Sequence, residues 1–197
     1  MLNKKQNYKK LLIIAFIAII IVIVGTSASL AFFTSTDSGT QQVFTTGTLK
    51  ITYDTGADIN ATGMFPTTED NASIHTFTVK NDGTIGAKYS ISFDNVSLTK
   101  DDANTTSDNL SWKLYIATVN DTTYTVSGEA VASGTFGTSS NFTAGTTVLN
   151  ILSDQTLAAG GNQPYILKIW LNETNTSQND DQGLSLQTTV KVDATQQ

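Results

Sequence analysis

Two patterns of hydrophobic and polar positions divide this chain. In the first, apolar side chains run unbroken from Leu11 to Val24. Lys4, Lys5, Lys9 and Lys10 precede the run, and the small-residue stretch Gly25 to Ala31 follows it. A positive segment, an apolar segment and a small-residue exit make a secretory signal. The run is shorter than the roughly 20 residues that a membrane span needs, although adding Gly25 to Phe33 brings it just to that length. Residues 1–31 therefore read as a cleaved signal peptide or as a retained N-terminal membrane helix. Thr26-Ser27-Ala28 and Ser29-Leu30-Ala31 both offer a cut site. The lysines keep the N-terminus inside in either case, so residues 32–197 are expected outside the cell as a single domain.

In the second pattern apolar and polar residues alternate, which predicts half-buried strands. Leu49, Ile51 and Tyr53 share one face; His75, Phe77 and Val79 share another, followed by the turn Asn81-Asp82-Gly83. Tyr89, Ile91 and Phe93 form the next row, then Trp112, Leu114 and Ile116 with Lys113 and Tyr115 opposite. Tyr124 and Val126 lie in a weaker strand. Val148 to Leu152 precedes the turn Ala158 to Gly161, and Tyr165 to Asn172 reads as the strongest strand, apolar on both faces. Leu184, Leu186, Val190 and Val192 mark the last one. About eight or nine short strands at regular spacing predict an all-β fold, an antiparallel sandwich of jelly-roll type. Residues 54–71 and 100–109 read as loops.

Composition narrows the function. There is no cysteine, so stability must come from burial and sheet hydrogen bonds. The 11 lysines include four ahead of the apolar run, which leaves 11 − 4 = 7 against 17 acids, a net charge of −10 outside the cell. There is no arginine. Such a surface excludes nucleic acid as a partner, because phosphate binding needs a basic face.

Candidate chemistry is sparse. His75 is the one histidine, so neither a zinc-peptidase pair nor a hydrolase triad with its G-x-S-x-G elbow is visible. Glu69, Glu129 and Glu173 are the only glutamates, and no pairing among acids is legible. No catalytic, cofactor-binding or metal-binding residue is assigned. Calcium is the one ion with hard oxygen donors to suit it: Asp101, Asp102, Asn104 and Asp108 crowd one loop, and Asn179, Asp180 and Asp181 another, without the regular twelve-residue calcium loop. Trp112 and Trp170 would stack on sugar if exposed, but aromatics of this size belong by preference in a core. Asn60, Asn71, Asn95, Asn104, Asn109, Asn120, Asn141, Asn172 and Asn175 each begin an N-x-[ST] sequon and are possible N-glycosylation sites.

Several pieces in order resemble one family. Ala31-Phe32 followed by Val43-Phe44-Thr45-Thr46-Gly47-Thr48-Leu49-Lys50-Ile51 is similar to the start of mature TasA and camelysin-like proteins. Phe77-Thr78-Val79-Lys80-Asn81-Asp82-Gly83-Thr84 and then Tyr89-Ser90-Ile91 resemble that family's strand and turn. Leu157-Ala158-Ala159-Gly160, Lys168-Ile169-Trp170-Leu171, Gln178-Asn179, Gln182-Gly183 and Ala194-Thr195-Gln196 are similar to its closing pattern.

The resemblance implies a jelly-roll subunit of biofilm-matrix fibres, like the related archaeal pilus subunits. It implies donor-strand exchange: a segment after the signal, here residues 32–44 with Phe32, Phe33, Val43 and Phe44 as plugs, adds a strand to the neighbour's sheet. Pairing of that segment with its own sheet is the alternative. Repeating the contact head to tail gives an open homopolymer. A signal peptidase and an accessory assembly protein are the implied partners. The camelysin name also carries a surface metallopeptidase activity, for which no zinc motif is visible. A monomeric carbohydrate-binding module is the remaining alternative.

Overall fold

The structure, a computed structural model, describes Thr34–Asp37, Ile51–Asp54 and residues 59–197. All of them belong to one compact unit, Thr34–Gln197. The described strands are β1 (Thr34–Asp37), β2 (Ile51–Asp54), β3 (Ile59–Thr62), β4 (Pro66–Thr67), β5 (Ser73–Asn81), β6 (Ala87–Lys100), β7 (Ala103–Asn104), β8 (Ser107–Asn120), β9 (Thr123–Phe136), β10 (Val148–Leu157), β11 (Asn162–Asn172) and β12 (Ser185–Gln196).

They form two sheets. The first runs β1–β12–β6–β10, with β3 also on β12 and β7 also on β6. The second runs β2–β5–β11–β8–β9, with β4 also on β11. All pairings are antiparallel except β4 with β11.

The fold is all-β, as expected, but several boundaries are corrected. The supposed loop 54–71 holds β3, β4 and a 3₁₀ turn at Glu69–Asn71. The supposed loop 100–109 is mostly strand, because β6 runs on to Lys100 and β8 begins at Ser107. The strands are also not uniformly short: β6, β8 and β9 have 14 residues each.

One residue explains why alternation faded in β6. Asn95 takes a left-handed backbone (φ 51°), and the ladder shifts beside it, from Asp94↔Thr189 to Ser97↔Gln187. A bulge moves the following side chains to the opposite parity. Tyr89, Ile91 and Phe93 point inward before it; Val96 and Leu98 do so after it.

The core fills the space between the sheets. Phe93 packs at its centre, 5.7 Å from Trp112 and 5.3 Å from Phe136, which in turn meets Phe142 at 5.7 Å. Tyr165 stacks on Phe77 at 5.3 Å. The Tyr89 and Tyr165 hydroxyls meet at 2.7 Å across the sandwich. Burial pushes both phenols upward in pKa, so the pair stays neutral.

Gly134 lies against the Trp112 indole. A Cβ there would fall 2.8 Å from Trp112 Cζ2. Gly134→Ala is therefore expected to cost about 1–3 kcal/mol by overpacking, read as a lower thermal midpoint with unchanged strand content by circular dichroism.

Candidate functional site: a sheet edge made of two short strands

β12 lies inside the first sheet although it is the last strand in the chain. β6 pairs with one of its edges from Ser185 to Gln196. Two four-residue strands divide the other edge. β1 covers Val192 to Thr195, and β3 covers Ser185 to Thr188. No described strand covers Thr189 to Lys191 between them. A cleft of about 300 Å³ opens beside this gap, lined by Ile59, Asn60, Asn95, Gln187, Thr188 and Thr189.

β1 is the described part of the expected donor segment, and it pairs with its own chain. Phe32, Phe33, Val43 and Phe44 lie outside the described residues. The β1 sequence, Thr34-Ser35-Thr36-Asp37, offers no apolar residue. The contact described for it is a short ladder. Each backbone hydrogen bond contributes about 0.5–1.5 kcal/mol net, and ordering each residue costs about 1–2 kcal/mol. The two nearly offset one another, so these four residues by themselves add little net stability.

β3 is held differently. Ile59 is buried, and the chain beyond it crosses to the second sheet, where β4 extends the edge of β11 beyond β5. The turn Glu69–Asn71 then lies on that sheet's outer face. There Lys113 and Lys168 sit directly opposite each other on β8 and β11, a repulsive pairing. Glu69 relieves it. Its Oε2 is 2.7 Å from Lys113 Nζ, its Oε1 is 3.3 Å from Lys168 Nζ, and Oε1 also accepts a hydrogen bond from the Tyr115 hydroxyl. Burial alone would raise the Glu69 carboxyl, but hydrogen bonds from Lys113, Tyr115 and Lys168 overcome it and hold the pKa down to about 2.

A carboxyl held below its unfolded value stabilises the fold fully above about pH 4.5, and the contribution is lost as pH falls through about 2. Glu69 is 26% exposed, so solvent screens part of the effect. Glu69→Gln is expected to cost about 1–3 kcal/mol at pH 7. In urea unfolding, the gap from wild type should narrow between pH 4.5 and pH 2.

The other candidate residues are already engaged. His75 Nε2 is 3.2 Å from Ser73 Oγ, and burial lowers its pKa. The two acidic loops flagged for calcium do meet. Where they do, Lys100 Nζ donates to the carbonyls of Asn179 (3.2 Å) and Asp180 (2.7 Å), putting a built-in cation on those oxygens. Asp181 is buried and accepts from Ser107 Oγ at 2.6 Å and Asn109 Nδ2 at 2.7 Å. Asp108 accepts from the Ser139 amide at 2.9 Å and the Ser139 hydroxyl at 2.7 Å, bonds that lower its pKa. Among the described residues no group of three or more His, Asp or Glu side chains is placed to hold a metal ion. Trp112 and Trp170 are buried and present no stacking surface.

Sequence reasoning missed Glu69, because its three partners lie 44 to 99 positions away. The legible signal was the pair of lysines, Lys113 and Lys168, each in a segment that already read as a strand. Set side by side, they demand an acid. The model of one protein family, described as camelysin metallo-endopeptidase, matches residues 5–197. No curated protein matches the chain.

Proposed function

Given that this chain belongs to the camelysin metallo-endopeptidase family, whose membership points to a secreted or cell-surface protein, we propose that it is a structural subunit polymerising head to tail into extracellular or biofilm-matrix fibres or pili. The observation that carries the reading is the β12 edge, a third of which is closed by a four-residue polar strand from the N-terminal segment. If β1 leaves its own sheet, the same segment of a second copy fits the same ladder. That is donor-strand exchange, and a heterologous contact of this kind grows without closing. Phe32, Phe33, Val43 and Phe44 supply the apolar grip that β1 lacks.

The strand order supports the jelly-roll form of the sandwich. Taking β1 with β3 as one interrupted strand and leaving β2, β4 and β7 aside, the eight remaining strands are ordered 1-8-3-6 and 2-7-4-5 in the two sheets. Two Greek keys folded together have this order. A signal peptidase releases the subunit in this reading, and an accessory protein nucleates the fibre.

The family description favours a second reading, a metallopeptidase. The donor set does not fit a zinc centre, which takes three protein ligands with histidine prominent. His75 is the one histidine and is tied to Ser73, and Glu69 is neutralised by two lysines.

Electron microscopy of signal-free protein, followed over time and concentration, separates the two. Filaments with a regular subunit repeat are the expected result. A persistent monomer that cleaves casein, and stops doing so with a chelator or in His75→Ala, would replace the fibre reading with the peptidase.

A further inference from the structure

The fold sorts the nine sequons into two kinds. Eight of their asparagines are exposed: Asn60, Asn71, Asn95 and Asn104, then Asn120, Asn141, Asn172 and Asn175. Three of these occupy left-handed positions: Asn95 at the bulge in β6 (φ 51°), and Asn141 and Asn175 (φ 58° and 56°) in connections between strands. The ninth is different. Asn109 is half-buried, its Nδ2 donates to Asp181 Oδ2 at 2.7 Å, and its backbone amide donates to Ser107 Oγ at 3.2 Å. Asp181 is itself only 9% exposed. One Nδ2 hydrogen of Asn109 is thus held by a buried carboxylate on a half-buried side chain, which leaves less room for a sugar than at the exposed sites, where the Asn95 Nδ2 meets its own neighbour Asp94 only at 3.4 Å.

The exposed sequons are also unevenly distributed. One end of the sandwich carries the connections 82–86, 121–122 and 158–161, and β1 enters there with Thr34 opposite Thr195. The opposite end carries the connections 63–72, 105–106, 137–147 and 173–184. Seven of the eight exposed sequon asparagines lie in the half that includes this second end; Asn120, at the tip of the β8–β9 hairpin, is the exception. The fully buried Asn81 and the exposed Asn162, at the first end, carry no sequon.

We propose that the eight exposed sequon asparagines are acceptors for N-linked glycans, that Asn109 is not, and that all of these glycans but the one on Asn120 coat the half of the sandwich away from the entry of β1. The co-reactant is a glycan linked through a diphosphate to a lipid. Asparagine Nδ2 attacks C1 of the first sugar, forming the C1–N bond while the C1–O bond to phosphate breaks. The lipid diphosphate leaves with the electron pair, and Nδ2 gives up one proton to a base of the transferase. The Ser or Thr two residues on fits the recognition pattern for this transfer. The inference stands on the sequons and their exposure, and does not rest on the fibre reading.

The test is glycopeptide mass spectrometry of protein isolated from the cells that make it, with fragmentation that leaves the glycan attached. Glycan mass is expected on the exposed sites, with the Asn109 sequon at its unmodified mass. Two variants sharpen the contrast. Thr106→Ala removes the Asn104 sequon and should lower the intact mass by one glycan. Ser111→Ala removes the Asn109 sequon and should change the mass by the one side-chain oxygen only. Unmodified mass at every sequon overturns the proposal, and so does occupancy of Asn109 equal to that of Asn104.

Discussion

Protein that begins at residue 45 should remain a folded monomer and lose the ability to form filaments. β12 keeps its twelve-residue strand and its pairing with β6, and β3 still covers Ser185 to Thr188. Among the described residues the buried core runs from Ile59 onward, so the deletion leaves every one of these core residues in place. What goes is the strand that would travel. A ladder of four residues with its flanking phenylalanines is worth about 3 kcal/mol or more in subunit affinity, roughly a 100-fold weaker contact. Sedimentation should show one species at concentrations where the full subunit is fibrous. A synthetic peptide of residues 32–44 should then bind the truncated monomer at the vacated edge. Normal fibres from the truncated protein would remove the donor strand from the account and leave only the fold.

The largest loss of stability is expected from Asn81→Asp. Asn81 is fully buried and joins two turns at one end of the sandwich. Its Nδ2 donates to the carbonyls of Ile85 (2.8 Å), Leu157 (3.2 Å) and Ala158 (3.2 Å), and its Oδ1 accepts from the Gly83 amide at 3.0 Å. Its backbone bonds Gly161 and Gly160 as well. An aspartate of the same shape aims a carboxylate oxygen at three carbonyls. Unsatisfied or opposed buried groups cost about 1–3 kcal/mol each, more when charged, so a total near 4 kcal/mol is expected, with a fall of about 10 °C in thermal midpoint. Asn81→Ala should cost less, since it removes the donor without adding a charge. Acid should partly rescue the aspartate variant, because a protonated carboxyl regains one donor. A variant as stable as wild type at pH 7 would show that the two turns hold without this residue.

The same residue shows what the sequence made legible. Asn81-Asp82-Gly83 announced a turn, but not that its asparagine would also fasten the turn at Ala158 to Gly161, a contact across more than 70 positions. The strands β5, β8, β11 and β12 were readable, because burial on one face imposes period two and β11 is buried on both. β9 was readable only at its start. It is an edge strand, solvated along most of its length, and a strand wet on both faces has no reason to alternate. β3 and β4 were hidden because two to four residues are too few to show a period. β6 was read only to Phe93, since the bulge at Asn95 inverts the parity that the reading relied on. The site was less legible than the fold: the acids and lysines were visible, but cross-strand register decides which of them meet.

The position of β12 has a consequence for the order of events in folding. The first sheet is centred on β12, Ser185–Gln196: β1 and β3 pair only with it, and β6 pairs with it on one edge and with β10 on the other. Until β12 is available, β1 and β3 have no partner strand, and the first sheet covers the second only with β6 and β10. Long-range pairing of this kind is slow to form. The pairing of β1 and β3 therefore waits for β12, and an unpaired chain is the form in which a polypeptide can be threaded through a narrow pore.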